Sequence, residues 1–239
     1  MTSCTYFPAS ESNKHKQPSN SWPAWPFRKV QEDLRALLRE TAQPVAVVTA
    51  LKDPTVNSQA AQTSSPFHGA TLSSFSSIAM EPHPLVTFAL RIPSRMATSL
   101  TSAHSSSNSH SHMVINILSE HQAETAKRFS RADLYPEPFA SLPHTLTKEG
   151  LPILDGSLGA MSCRLVAASW PLHDLESLNN RGKEEKPEWQ GEGVASELFI
   201  AQVIRVERAP STAESVRPLL YYRRGYVTTD DIGTKPGQS

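Results

Sequence analysis

The chain has almost no cysteine. Of its 239 residues only Cys4 and Cys163 carry a thiol. They lie far apart, so they make neither a disulfide framework nor a zinc-ligand spacing, and a reducing compartment is expected. Neither sign of charge is in excess, because 23 lysines and arginines balance 23 aspartates and glutamates. That balance argues against a partner gripped mainly through charge, so no nucleic acid and no membrane surface is expected. No apolar run approaches the ~20 residues of a membrane span. A GxGxxG turn, a Walker A loop, a GxSxG elbow, an HExxH pair and a CxxC pair are all missing. These absences leave little support for a hydrolase or metalloenzyme driven by its own side chains. Any chemistry is expected to come from a bound cofactor.

The length fits one large domain or two small ones. Residues 1–26 are rich in Ser, Asn and Pro and read as a disordered tail. They hold no apolar run for secretion and no arginine, so a cytoplasmic location is expected over mitochondrial import. Residues 27–229 read as the folded domain, and 230–239 as a flexible tail.

Within that domain the segment His68–Ile78, HGATLSSFSSI, stands out. Six of its eleven residues are Thr, Ser or Gly, although strands usually favour β-branched and aromatic residues. Thr71, Ser73, Ser74, Ser76 and Ser77 supply hydroxyls on both faces. With free backbone N–H groups, such a segment can hold an anion such as a phosphate. The alternative is an ordinary Ser-rich connection.

Around this segment the pattern is mostly β. Phe27, Val30, Leu34, Leu37 and Leu38 recur at helical spacing, predicting a helix over 27–42 that covers a core. Strands are expected at 45–51, 85–90, 113–118, 162–170, 197–206 and from Pro218 to Tyr222. Ser119 with Gln122 forms a capping-box pattern that starts a second helix running to about Phe129. Residues 101–112 and 131–160 read as loops, and the charged stretch 179–193 as a solvated excursion. His104, His110 and His112 lack carboxylate or cysteine partners, so no metal site is expected there. Asn116 is expected to play a structural part at a strand end. With about seven strands, two helices and no regular alternation between them, the fold class is mainly β. An antiparallel barrel with flanking helices fits best.

Four pieces of the chain resemble the flavin reductase-like family, whose fold is the FMN-binding split barrel, a Greek-key-like antiparallel barrel. They are PVAVVTA at Pro44–Ala50, HGATLSSFSSIAMEPHPLVTFAL at His68–Leu90, VINILSEHQAETAKRF at Val114–Phe129, and the pair SELFIAQVIRVE and PLLYYRRGY. The resemblance implies a homodimeric oxidoreductase that binds FMN, or FAD, and reduces it with NADH or NADPH. A separate monooxygenase is the implied partner in some members. Carried over residue by residue, it places Thr71, Leu72, Ser73, Ser74, Phe75, Ser77 and Ile78 along the flavin. Ser94, Arg95 and Met96 fall at the phosphate-side loop, where a guanidinium can pair bidentately with phosphate. Tyr221, Tyr222, Arg223 and Arg224 fall near the nicotinamide cofactor. One departure stands out. Many members read GDHTLFIG where this chain has VASELFIA, so Ser196 replaces a histidine associated with the nicotinamide. That leaves an alternative, an FMN-binding protein without NAD(P)H turnover. Catalytic side chains stay unassigned, since transfer of hydride between two bound rings requires no side-chain acid or base.

Overall fold

The computed structural model describes residues 27–52, 65–105, 111–172, 195–207 and 216–230. The disordered-tail, import and charged-excursion expectations therefore lie outside the described residues. In chain order the elements are α1 (Phe27–Arg39), β1 (Gln43–Pro44), β2 (Ala46–Leu51), β3 (Phe67–Leu72), β4 (Ser76–Ala79), β5 (Leu85–Ile92) and α2 (Arg95–Ser105). Then follow β6 (Met113–Ile117), α3 (Ala123–Ser130), β7 (His144–Leu146), β8 (Pro152–Leu154), β9 (Gly159–Pro171), β10 (Ala195–Glu207), β11 (Leu220–Tyr222) and β12 (Gly225–Val227). By compactness the chain divides into two units, Met1–Leu38 and Arg39–Ser239. None of the described helices is long and apolar enough to cross a membrane.

The first unit contributes α1. Its apolar stripe exists, but Val30, Leu34, Leu37 and Leu38 are 47–65% exposed. A lone amphipathic helix has no second layer of its own to bury against.

The second unit is a seven-stranded antiparallel sheet in the order β3-β2-β6-β9-β10-β5-β4, curled into a half-barrel. β2 is buried on both faces, which is why AVVTAL reads as a continuous apolar run. One face joins the main core, where Phe88 of β5 and Phe199 of β10 are register partners with stacked rings 5.4 Å apart. Val45 and Val47 join a second cluster with Leu118, Ala126, Phe129 and Leu154. Register shifts along β9 and β10 let these long strands bend with the sheet. Asn116 is buried and structural, as expected. Its Nδ2 donates to the Val47 carbonyl at 3.2 Å, and its Oδ1 accepts the Leu154 N–H at 2.9 Å, tying β8 to the sheet.

Several elements were not foreseen. The 131–160 stretch contains the β7–β8 hairpin, whose strands are only three residues each and too short to show a period. More important, α2 occupies a segment read as a strand-end loop and the start of a Ser/His loop. Its hydroxyls satisfy the helix itself: Thr101 Oγ1 donates to the Ala97 carbonyl at 3.0 Å, and Ser105 Oγ to the Thr101 carbonyl at 3.1 Å. Such back-bonding hides hydroxyl-rich helices from propensity rules. Met96, Ala97, Ser99 and Leu100 form the buried face.

A charged clamp fixes the β7–β8 turn to the sheet. Arg205 donates to both Glu149 oxygens, at 3.2 and 2.9 Å, and to Glu207 Oε1 at 2.6 Å. The Arg205 guanidinium lowers the Glu149 carboxyl from its ordinary 4.5 to about 2. Because the folded value lies below the unfolded one, the stabilisation is complete above pH 4.5 and is lost as pH falls toward 2. Glu149→Gln is expected to cost about 1–2 kcal/mol at pH 7, a modest charge-assisted contribution at a partly solvated pair. Urea denaturation of both proteins at pH 7 and pH 3 checks this. The gap should narrow at the lower pH.

Candidate functional site

β2 bonds its two neighbours alternately, and that decides what β3 has left over. Lys52 N donates to the Pro66 carbonyl at 2.8 Å, and Leu118 N to the Val45 carbonyl at 3.0 Å. With the register, these bonds turn even-numbered residues of β2 toward β3 and odd-numbered ones toward β6. His68, Ala70 and Leu72 therefore spend their backbone groups on β2. The N–H and C=O groups of Gly69 and Thr71 face the open edge of the sheet.

Beside that edge lies a cavity of about 690 Å³, a size suited to a cofactor. One wall is His68 to Ser74. The facing wall is Ala89 to Arg91 of β5, continued by Pro93 to Met96. Phe129, Ser130 and Ala132 close one end with Tyr221 and Tyr226 of the β11–β12 hairpin. The cavity thus occupies the gap between β3 and β5, where the half-barrel is split. Arg91 and Arg95 line it, and no carboxylate among the described residues does.

The hydroxyls divide into two groups. Thr71 Oγ1 donates to the Ala126 carbonyl at 2.6 Å, holding α3 against β3. Ser74 Oγ accepts the Ala89 N–H at 2.8 Å and lies 3.2 Å from the Ala89 carbonyl, bridging the split like a ladder rung. These two are spent on the fold. Ser73 has no hydrogen-bond partner among the described residues. Ser94 caps α2: its Oγ accepts the Ala97 N–H at 3.4 Å and its carbonyl the Thr98 N–H at 3.1 Å. The N–H groups of Arg95 and Met96, at the first two helical positions, have no acceptor within the helix and mark its positive end.

His68 lies on the same wall. Burial, reinforced by the nearby charges of Lys52 and Arg95 and opposed by Glu137, lowers its pKa from 6.5 to about 4. The imidazole is therefore neutral at pH 7 and adds hydrogen-bonding groups without charge. Tyr226 is shifted upward, chiefly by burial, with the Ser130 hydrogen bond opposing. Burial pushes the Cys163 thiol up to about 12, leaving no nucleophile there.

Of the residues singled out from sequence, Thr71, Leu72, Ser73, Ser74, Ser94, Arg95, Met96 and Tyr221 line the cavity. Leu72 and Met96 do so as core residues, 1% and 4% exposed. The others lie off the wall. Phe75 packs against the main core. Ser77 and Ile78 sit on the edge strand β4, beyond the Ser73–Ser74 turn, where Ser77 pairs with Val86. Tyr222 lies under the Arg223 guanidinium, 5.2 Å from ring centre to carbon. Arg223 Nε donates to Glu40 at 2.8 Å, which ties its charge to an acid. Arg223 and Arg224 form the hairpin turn with φ of 46° and 65°.

Sequence reasoning missed His68, Gly69, Ala89, Arg91, Phe129, Ser130 and Tyr226 as wall residues. Tyr226 had a signal, since it is the register partner of Tyr221 across a two-residue turn. Phe129 was expected only in the core. It is a core residue, 5% exposed, whose ring also reaches the cavity because Gly69 leaves room for it. His104 and His112 have ring centres 5.9 Å apart, and His112 Nδ1 accepts the Leu165 N–H at 3.2 Å. His110 lies outside the described residues.

The chain is similar to known proteins. Residues 38–230 match the flavin reductase like domain. The chain belongs to that family. It is 30% identical over 194 residues to the flavin reductase of Pseudomonas putida, covering 80% of this chain and 86% of that protein. It is 29% identical over 165 residues to the NADH:FMN oxidoreductase of Rhodococcus erythropolis, covering 69% and 70%. The crystal structure of a nitrilotriacetate monooxygenase component B homolog from Mycobacterium thermoresistibile has the same fold. There the TM-score is 0.60 at 21% identity, with 89% and 94% of the chains covered. The split-barrel expectation is met.

Proposed function

We propose that the chain, with residues 27–229 as its flavin reductase domain, is an NAD(P)H-dependent flavin reductase that holds FMN in the cavity between β3 and β5. The observation that carries this reading is the chemistry of the two facing walls. Gly69 and Thr71 offer backbone donors and acceptors at the open edge of β3, which with the Ser73 hydroxyl suit the amide-like edge of an isoalloxazine ring. Across the split, Arg95, Arg91 and the first N–H groups of α2 suit a phosphate. When bound, the flavin supplies the redox chemistry. The residues named here bind and orient it, and the aromatic end formed by Phe129, Tyr221 and Tyr226 keeps water from one side of the cavity. The names of the relatives support FMN and NADH as the pair. A homodimer, and delivery of reduced flavin to a monooxygenase, belong to the same proposal.

Ser196 favours a second reading. It stands where many members carry a histidine, and it is the register partner of Arg91. That reading keeps FMN binding without NAD(P)H turnover. Anaerobic stopped-flow absorbance separates the two. A reductase bleaches the 450 nm flavin band with NADH or NADPH at rates within the usual enzymatic range of about 1–1000 per second. Bleaching by dithionite alone leaves the second reading.

A further inference from the structure

We propose that Arg91 is a second phosphate-binding residue, acting with Arg95 on the same phosphate group. The inference rests on the flavin reading above and extends it to a residue the sequence did not single out.

Beyond α1, most described arginines are committed to a partner. Arg131 bonds Asp133, Arg205 bonds Glu149 and Glu207, Arg217 bonds Asp230, and Arg223 bonds Glu40. Arg164 donates to Gln202 and Arg128 to Ser141. The guanidinium groups of Arg91, Arg95 and Arg224 make no hydrogen bond or ion pair with any described residue. Two of these three line one cavity, and no described acid lines it with them. Two cations lining one cavity that no described acid lines favour an anionic ligand there, and a phosphate would neutralise both.

The backbone fixes where Arg91 can act. It is the only charged residue of β5, LVTFALRI. Its neighbours Leu90 and Ile92 are 5% and 9% exposed, so the strand is anchored on both sides of it. Its register partner on β10 is the small Ser196, which leaves the guanidinium room. Arg95 follows four residues later at the start of α2, on the same continuous wall. Arg224 belongs instead to the turn of the β11–β12 hairpin. A phosphate monoester carries about −1.5 to −2 charges at pH 7, and two guanidiniums together with helix N–H groups match that charge.

Calorimetric titration with FMN and with riboflavin, which lacks the phosphate, tests the assignment. Arg91→Ala should weaken FMN binding about 10–100-fold and riboflavin binding less than about threefold, as expected for one charge-assisted contact. Arg91→Lys should recover part of the loss, which a misfolded variant would not do. The double variant R91A/R95A should lose less than the product of the single losses, because both residues act on one group. Unchanged FMN affinity in R91A overturns the proposal, as does an equal loss for both flavins. A raised KM for NADH or NADPH with FMN affinity intact also overturns it and gives Arg91 to the co-substrate. Wild-type protein that binds neither flavin overturns the flavin reading itself.

Discussion

Gly69→Ala is expected to destabilise the barrel and deform the cavity in one step. A Cβ at this position would lie 2.4 Å from Phe129 Cε1 and 2.6 Å from Cδ1. The ring cannot simply swing away. It is 5% exposed and packed edge-on against Phe139, with centroids 5.1 Å apart. Nor can the strand retreat, because His68 and Ala70 on either side are bonded to β2. Overpacking of this kind costs about 1–3 kcal/mol. Both residues line the cavity, so whichever one moves alters the wall. Gly69→Ala should therefore lower the midpoint of urea denaturation and weaken both FMN and riboflavin. Phe129→Leu should itself destabilise by leaving a void. The combined variant should be more stable than the sum of the single changes predicts, because the smaller side chain vacates the space the new methyl needs. Strict additivity would mean that the ring does not stand over Gly69.

Arg95→Ala should act on ligand binding rather than on folding. The guanidinium has no acid partner among the described residues, so removing it breaks no internal ion pair. Ser94 continues to cap α2. The loss should be about 1–3 kcal/mol in FMN affinity, the range for a charge-assisted hydrogen bond. Riboflavin should be affected much less. The denaturation midpoint should move little. Calorimetry with both flavins, alongside a urea titration, measures all three quantities. Equal losses for the two flavins would remove the phosphate from this end of the cavity. Added salt should also weaken FMN more than riboflavin, since exposed charges are screened.

The two variants separate the parts of the site. Gly69 and Phe129 set its shape, and their effect should not depend on the phosphate. Arg95, with Arg91, sets its charge. Thr71 and Ser74 belong to neither group. Thr71 holds α3 against β3 and Ser74 bridges to β5, so two hydroxyls of the segment that suggested a binding wall serve the fold. Ser73 lines the cavity with no hydrogen-bond partner among the described residues.

The sequence by itself determined much of this protein. β2, β5, β6, β9 and β10 were legible because apolar runs and alternation report burial directly. The order of the quoted motifs fixed the family, and Thr71–Ser74 and Ser94–Met96 located both facing walls. Only the tertiary structure decided which of those side chains remain available. Hydrogen bonds such as Thr71 to Ala126 and Ser74 to Ala89 join residues 55 and 15 positions apart, a separation that no local pattern encodes. The same holds for Phe129, a core residue by its spacing and a wall residue because a glycine 60 positions earlier makes room. It holds for Arg91 and Arg223 as well. One charge lies in a cavity that no described acid lines and the other is held by Glu40, a difference set by which distant element brings an acid within reach.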